Sequence, residues 1–529
     1  MEITGRSRHG KPVKRSSDSD RRLHGDAVPA SSRVVVSADR VRSAQRELVD
    51  GLHDGALSEA AYDTAIVSRL RDERDPGQSA FPSTIDWLRW HQHADGSWGG
   101  RIETGHDRLV STLAAVIALT ERSEPWARRA IQDGVKYIWD HAVAWETCPY
   151  ETVAFELLVP QLLLQARSLG LNLPYDRFVN LGALQTEKLE QIPAGLLYEE
   201  PTTLVHSLEF MNGQIDTDRV HRLRATNGSY GNSPSATAHV LGHVHDGPAE
   251  IYLRRVLHMS VNGGVPTTYP IDTFERAWVL YNLGHAGAAQ RGPVRTHLQY
   301  LADSVTPEGF GWSRGLIPDS DSTAVALTVL DRARCPVELD VLLRFERDGH
   351  FSCFPFERNS SVTANAHVLE ALRLGEAQRP GRFAKQCAKI VRHLEERQLD
   401  RCYWLDKWHV SPYYATAHVT LAAGGIADHL LTGTEAWLLE TQHSDGAWGE
   451  DGGTSEETAY AMQALHALPT HSPLDVARAL QRGASYLSQH FDDTDYPELW
   501  IGKGLYTPYA VVRSAVIAAL ILYHCGGRV

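Results

Sequence analysis

The sequence predicts an all-α protein assembled from repeated helical hairpins, and three observations carry that prediction. A turn made of an acid or Asn, a Gly and an aromatic recurs along the chain. Each turn is followed by an Ala- and Leu-rich stretch at helical spacing. No apolar–polar alternation of the kind a half-buried strand needs runs at any length.

Taken in order, the turns are Asp95–Gly99, Asn227–Gly231, Glu308–Trp312, Asp348–Phe351 and Asp445–Gly449. The helices expected after them are Ser111–Leu119, Ser235–Leu241, Ser322–Leu330, Ser361–Leu372 and Glu457–Leu468. Each begins at or near a Ser, Thr or Glu that can cap free backbone N–H groups. Gly permits the tight turn, and the aromatic behind it anchors the helix by packing, so these turns read as architecture rather than chemistry. Helical hairpins repeated through a chain this long imply a closed α/α barrel or a solenoid.

At 529 residues, of which 43% are hydrophobic, the chain can bury large cores, and length alone suggests about two to four domains. A net charge of -13 argues against a general nucleic-acid binder and against a surface held to anionic lipid. Six cysteines lie scattered without CxxC spacing, as expected of reduced thiols in the cytoplasm. No apolar run reaches the ~18 residues of a membrane span; the longest, Ala515–Tyr523, reads as a core helix, so no membrane insertion is expected. Residues 1–37, rich in Ser and Arg, read as a disordered basic arm. A plastid transit peptide is the alternative, against which Asp18 and Asp20 count.

The segment Pro318–Ala324 holds two acids, Asp319 and Asp321, at the entrance of an apolar helix. A helix cap followed by a first-turn acid is one reading. Buried together, two such carboxyls repel, so that one keeps its proton at neutral pH while the helix N-terminus makes that proton easier to give up. An acid both loaded and strong is what protonation of an unactivated alkene requires.

That acidic segment resembles the DxDD motif of class II diterpene cyclases and, more distantly, of squalene–hopene cyclases. An ordered set of further segments carries the resemblance from about Ala38 onward: Ala61–Ala65 (with Ile66 where Trp is usual), Asp95–Gly99, His106–Leu109 with Thr112–Ala114, Pro201–Glu209, Asn262–Pro266, Phe274–Trp278 and Trp500–Lys503. The resemblance implies a βγ pair of α/α-barrel domains. Residues 38–60 would be the first helix of the β-like domain, 61–290 an inserted γ-like domain, and 291–529 the rest of the β-like domain. It implies protonation-initiated cyclisation of a prenyl diphosphate that keeps its diphosphate, leaving a product for a downstream class I synthase.

Residue by residue, the resemblance makes Asp321 the general acid and Asp319 its partner, with Ser322 where the family has a further Asp. Glu156 matches a Glu assigned to Mg²⁺ beside the diphosphate, a role suited to an ion that takes one or two carboxylates plus phosphate oxygens and water. Lys188 and Lys407 match diphosphate-binding lysines. Trp278 and Trp312 match cavity-lining positions, where ring faces steady carbocations by about 1–2 kcal/mol each. For Tyr269, Phe354, Phe356 and Trp404 the expectation is core packing. His206 matches a His that helps remove the final proton in plant copalyl-type cyclases, but its Asn partner is Thr267 here. That loss of the dyad points to a rearranged, halimane- or clerodane-like bicycle from geranylgeranyl diphosphate.

Alternatives are a drimane-type product from farnesyl diphosphate, a squalene–hopene type cyclase, and an inactive α/α-barrel binding protein. A hydrocarbon substrate gives Glu156, Lys188 and Lys407 no purpose, and a binding protein has no need of Asp319 and Asp321. Asp492–Tyr496 comes close to the DDxxD of class I enzymes but ends in Tyr.

Overall fold

A computed structural model describes residues 35–526, apart from 194, 201, 212 and 289–293. Of the expected basic arm, residues 1–37, the first 34 lie outside the described residues, as does Gln290 at the expected domain boundary; Val36 packs into the core and Ser37 caps the first helix.

Six helices are buried along most of their length: Asp272–His285, Ser320–Arg332, Val362–Gln378, Pro412–Ala423, Ser455–Ala467 and Tyr509–His524. Each packs against the next and the last returns to the first, so the staves close a ring. Their alanines allow the close approach, with Ala364, Ala366, Ala415, Ala417, Ala459 and Ala461 fully buried. Amphipathic helices cover the outside, and Ala384–Glu396, for example, buries only Ile390, His393 and Leu394. Ala38–Asp50 lies against the C-terminal stave, and so joins this core from the far end of the chain.

Between these two pieces the chain builds a second, smaller ring. Its members are Ala61–Ser68, Gly105–Leu119, Phe155–Ser168, the 3-10 segment Thr203–Met211 and Pro234–Leu241, again in cyclic contact. The 3-10 member is broken at Ser207, whose backbone (φ -130, ψ 36) is not helical. Helix Asp272–His285 belongs to the larger ring, so that ring resumes well ahead of the boundary at 290 read from the sequence. The physical reason is its apolar face: Ala277, Trp278, Leu280 and Tyr281 bury themselves against the C-terminal staves.

One device recurs at the aromatic turns. The indole N–H of Trp98 donates to Leu88 O (2.8 Å) while its amide donates to the Thr112 hydroxyl (3.0 Å) on the following stave. Trp448 repeats both bonds with Leu438 and Thr458, and the amides of Tyr230 and Phe310 reach Thr237 and Thr323. Phe351 uses Asn365 in place of a Thr. Trp404 makes the same pair of bonds with Leu394 and Thr416, although its turn lacks Gly; Asp400 and Arg401 take the positive φ instead (47° and 59°). Five stave N-termini are capped by a side chain, Asp319, Ser361, Ser411, Thr454 and Ser233, whereas those of Ala61–Ser68, Gly105–Leu119, Phe155–Ser168, Asp272–His285 and Tyr509–His524 are not.

The strands among the described residues form one short hairpin, Trp500–Ile501 with Leu505–Tyr506. Its tip carries Lys503 into the smaller ring, fully buried, where Nζ donates to Glu209 (2.7 Å), Ser233 (2.7 Å) and Ser235 (2.5 Å) and lies 3.6 Å from Asp63. No helix among the described residues is long and apolar enough to cross a membrane.

Thr458→Val should leave the Trp448 amide without a partner at a cost of about 1–3 kcal/mol. Trp448→Ala should cost about 3–5 kcal/mol, because it also empties the core. Thermal unfolding should place both below the wild type, with the Ala variant lower.

Candidate active site

All nine residues singled out from the sequence line one cavity between the rings. Asp319, Asp321, Trp278, Trp312 and Lys407 come from the larger ring or its loops, while Glu156, Lys188, His206 and Thr267 come from the smaller.

Asp319 is the N-cap of stave Ser320–Arg332, and its Oδ1 accepts the Ser322 amide at 2.6 Å. Burial, with Asp321 adding its charge, pushes the Asp319 carboxyl up to about 8, against the pull of the Ser322 amide. The Cys353 thiol lies 4.0 Å from the same oxygen. Two residues on, Asp321 meets His367 of the next stave, Oδ1 to Nδ1 at 2.5 Å, and His367 Nε2 meets His418 Nδ1 at 2.7 Å. His418 is held well below the usual His range by burial and by His367, and is therefore neutral. Its Nε2 has no partner, so the imidazole proton sits on Nδ1, facing His367. Asp321 is 9% exposed, whereas Asp319 is 2% exposed and spends an oxygen on the cap. Asp321 is thus the carboxyl presented to the cavity.

Charged groups gather at the rim. Lys188 Nζ reaches Phe356 O and lies 3.6 Å from Glu156. Lys407 donates to Glu357 (2.7 Å) and Asn359 O (2.6 Å), and Arg358 pairs with Glu151 at 3.0 Å. Glu156, 3% exposed and in the first turn of its helix, faces this cluster. Among the described residues no three acids, His or Cys stand together as a complete metal cage, so a magnesium ion at Glu156 fits only with phosphate oxygens completing its shell.

The wall between the two ends is aromatic. Trp278 lies edge-on to His367 and stacks on Phe274 at 4.2 Å, and Phe274 meets Trp500 edge-on at 5.5 Å. Trp312 stands edge-on to both His206 (5.8 Å) and Phe354 (6.0 Å). Phe354 and Phe356 line the cavity, contrary to the expectation of core packing, because their loop folds over the rim; Trp404 and Tyr269 are core residues as expected. His206 Nδ1 bonds Gly231 O at 2.9 Å, which fixes the proton there and leaves Nε2 as a lone pair. Burial and then Lys503 lower it to about 4, so it is neutral. Thr267 accepts the Lys503 amide at 3.4 Å.

His367, His418 and Lys503 were not singled out as site residues. His367 sits 46 residues from Asp321 in a stave that reads only as helical repeat, and its role arises from ring closure. Asp63, Glu209 and Lys503, from three of the matching segments, form one buried cluster; burial pushes Asp63 up to about 6 against the pull of Lys503. The near-DDxxD segment is held in surface pairs, Asp492 with Arg40 and Asp495 with Arg101.

Residues 358–495 match the squalene–hopene cyclase C-terminal domain. Over 490 residues the chain is 34% identical to the type B diterpene cyclase of Mycobacterium tuberculosis, covering 88% of this chain and 96% of that one. Over 511 residues it is 33% identical to an ent-copalyl diphosphate synthase of a Streptomyces species, covering 92% and 97%. Among solved structures it resembles the ent-copalyl diphosphate synthase of Streptomyces platensis with a TM-score of 0.78 at 33% identity, over 92% of this chain and 99% of that one. The chain belongs to the class II diterpene cyclases, enzymes with two α/α-barrel domains.

Asp319 gives a pH signature. Its folded pKa lies above the unfolded value, so the stability it contributes is complete below the ordinary carboxylate range and is lost as pH rises to about 8. From about pH 5 to about 8 the wild-type Tm should therefore fall more steeply than that of Asp319→Asn, as read by thermal unfolding.

Proposed function

We propose that the enzyme folds geranylgeranyl diphosphate across the cavity, with the diphosphate at the Lys188–Lys407 rim and the terminal alkene at Asp321, and closes two rings. The observation that carries this reading is that two chemistries share one cavity. Asp321, bonded to a His pair, opens on an aromatic-walled cavity that also holds Lys188, Lys407 and Arg358, so one cavity offers an acid for an alkene and cations for a diphosphate.

The buried Asp319–Asp321 pair keeps one proton between them, Asp321 as the carboxyl bonded to His367 passes it to the terminal alkene, and His367 Nδ1–H stabilises the carboxylate left behind. The first cation is attacked by the next alkene and the second by another, so two C–C bonds form and the charge moves inward. Trp278 and Trp312 face that charge. A proton leaves to a base, for which His206 is chosen because its Nε2 lone pair is free; the product is an isomer of the substrate. Lys188, Lys407 and Arg358 hold the diphosphate, and Glu156 would hold a magnesium ion against it, supplying charge neutralisation for binding. The rim bonds no leaving group in the reaction, so the diphosphate is retained for a synthase that ionises it.

With Thr267 engaged by the Lys503 amide rather than paired with His206, the cation is not quenched at once. Hydride and methyl shifts follow, which supports a halimane- or clerodane-like skeleton.

Asp321→Asn should lower kcat by about 10²–10⁴-fold with substrate binding kept, since the amide has no proton to give. Chelation of magnesium should weaken substrate binding, and no pyrophosphate should be released during turnover. Purified protein incubated with geranylgeranyl and farnesyl diphosphates, then dephosphorylated, should yield a rearranged bicyclic diterpene alcohol. An unrearranged copalyl alcohol removes the migration step, exclusive use of the shorter substrate removes the chain length, and pyrophosphate release removes the class of reaction.

A further inference from the structure

Behind the aromatic wall lies a carboxylate for which the steps above have no use. Glu456 is 1% exposed, in the first turn of stave Ser455–Ala467. Its Oε1 accepts the indole N–H of Trp500 at 2.8 Å and the Nε2 of His409 at 3.3 Å. His409 Nδ1 accepts the Ser411 amide at 3.1 Å, so Nε2 carries the proton and points it at Glu456. The second oxygen, Oε2, has no hydrogen-bond partner. Among the described residues its one ion pair is with His409, itself fully buried; no lysine or arginine shares it. A buried acid with donors on one oxygen and no cation beside it is costly unless positive charge arrives from elsewhere.

The ring that separates Glu456 from the cavity is Trp500. Its indole lines the cavity and stands edge-on to Phe274, which stacks on Trp278, which in turn meets His367. Trp500 reaches the Asp321–His367–His418 line only at a remove, through Phe274 and Trp278 or through Tyr414, so the charge it serves is the one present after ring closure rather than at protonation. An indole whose N–H is drawn toward a carboxylate carries more electron density on its face, and the field of the carboxylate reaches the cavity through the same low-dielectric ring.

We propose that Glu456 is a positioning residue for the ring-stage carbocation, acting through Trp500 as its buried counter-charge. This rests on the reading that a carbocation forms in the cavity. Because both donors are fixed by the fold before substrate binds, no reorganisation is needed when the charge appears.

The test compares two geranylgeranyl diphosphate analogues in calorimetry, one with an ammonium nitrogen at the chain carbon that carries charge once both rings have closed, and its neutral carbon counterpart. The wild type should prefer the ammonium analogue, and Glu456→Gln, which keeps shape and one acceptor, should reduce that preference about tenfold with the neutral analogue unaffected. Turnover should fall by a similar factor at unchanged KM. Trp500→Phe, which breaks the link, should reduce the preference too, and the double variant should lose little more than either. Should Glu456→Gln fail to fold by circular dichroism, a full ammonium preference in Trp500→Phe overturns the proposal. An unchanged preference in a folded Glu456→Gln overturns it as well, even if turnover falls, because Glu456 then only holds Trp500 in place. Absence of cyclised product from the wild type would instead remove the underlying reading of the reaction.

Discussion

A buried ammonium group sets the relation between the two barrels. Lys503 leaves the larger barrel on a hairpin too short to have a core of its own, and ends among Asp63, Glu209, Ser233 and Ser235 of the smaller one. Removing one charge of such a cluster strands the others in a dry interior, a loss far larger than that of a surface pair. Much of the site follows from that anchor. Glu209 shares the broken 3-10 segment with His206, and Thr267 accepts the Lys503 amide, so both cavity residues take their places from the same contact. Gly502 is required there, since a Cβ would come within 2.9 Å of the Thr267 side chain.

Ring closure accounts for the acidic end. Several staves start with a side chain that caps their own free amides, and in stave Ser320–Arg332 the cap is Asp319, whose carboxyl burial pushes up to about 8. One device thus serves helix formation and proton chemistry together. Because staves neighbour one another around a ring, Asp321, His367 and His418 sit on three successive helices and line up side chain to side chain. A second buried cluster lies beyond them, where Tyr281 stacks on His418 and bonds Glu370. Burial alone would raise Glu370, but His285 and Arg332 beside it hold it well below the usual range. The acid therefore stands in a polar seam enclosed by an apolar barrel.

Legibility varied with how local the signal was. The glycine–aromatic turns and the caps could be read because Gly, Trp and Ser or Thr act on their immediate neighbours. The turn before Trp404 escaped because two ordinary residues, Asp400 and Arg401, adopt the positive φ that Gly supplies elsewhere. Phe354 and Phe356 were expected in the core, yet an aromatic ring carries no mark of whether its loop folds inward or over a cavity rim. The segments containing Asp63, Glu209 and Lys503 were visible as matching motifs without any visible reason for their residues.

The sequence by itself determined the helical class, the repeated anchors and caps, the acid pair and the residue types of the rim, because each depends on contacts within a few residues or on resemblance along the chain. The tertiary structure decided what lies between distant segments. It assigned helix Asp272–His285 and its Trp278 to the larger barrel, gave Asp321 its His partner, and drove Lys503 into the neighbouring barrel. It also left Glu456 behind Trp500 with an oxygen unpaired. The first three follow from cyclic closure of the staves and from the pairing of buried charges, and both require the whole chain to be in place.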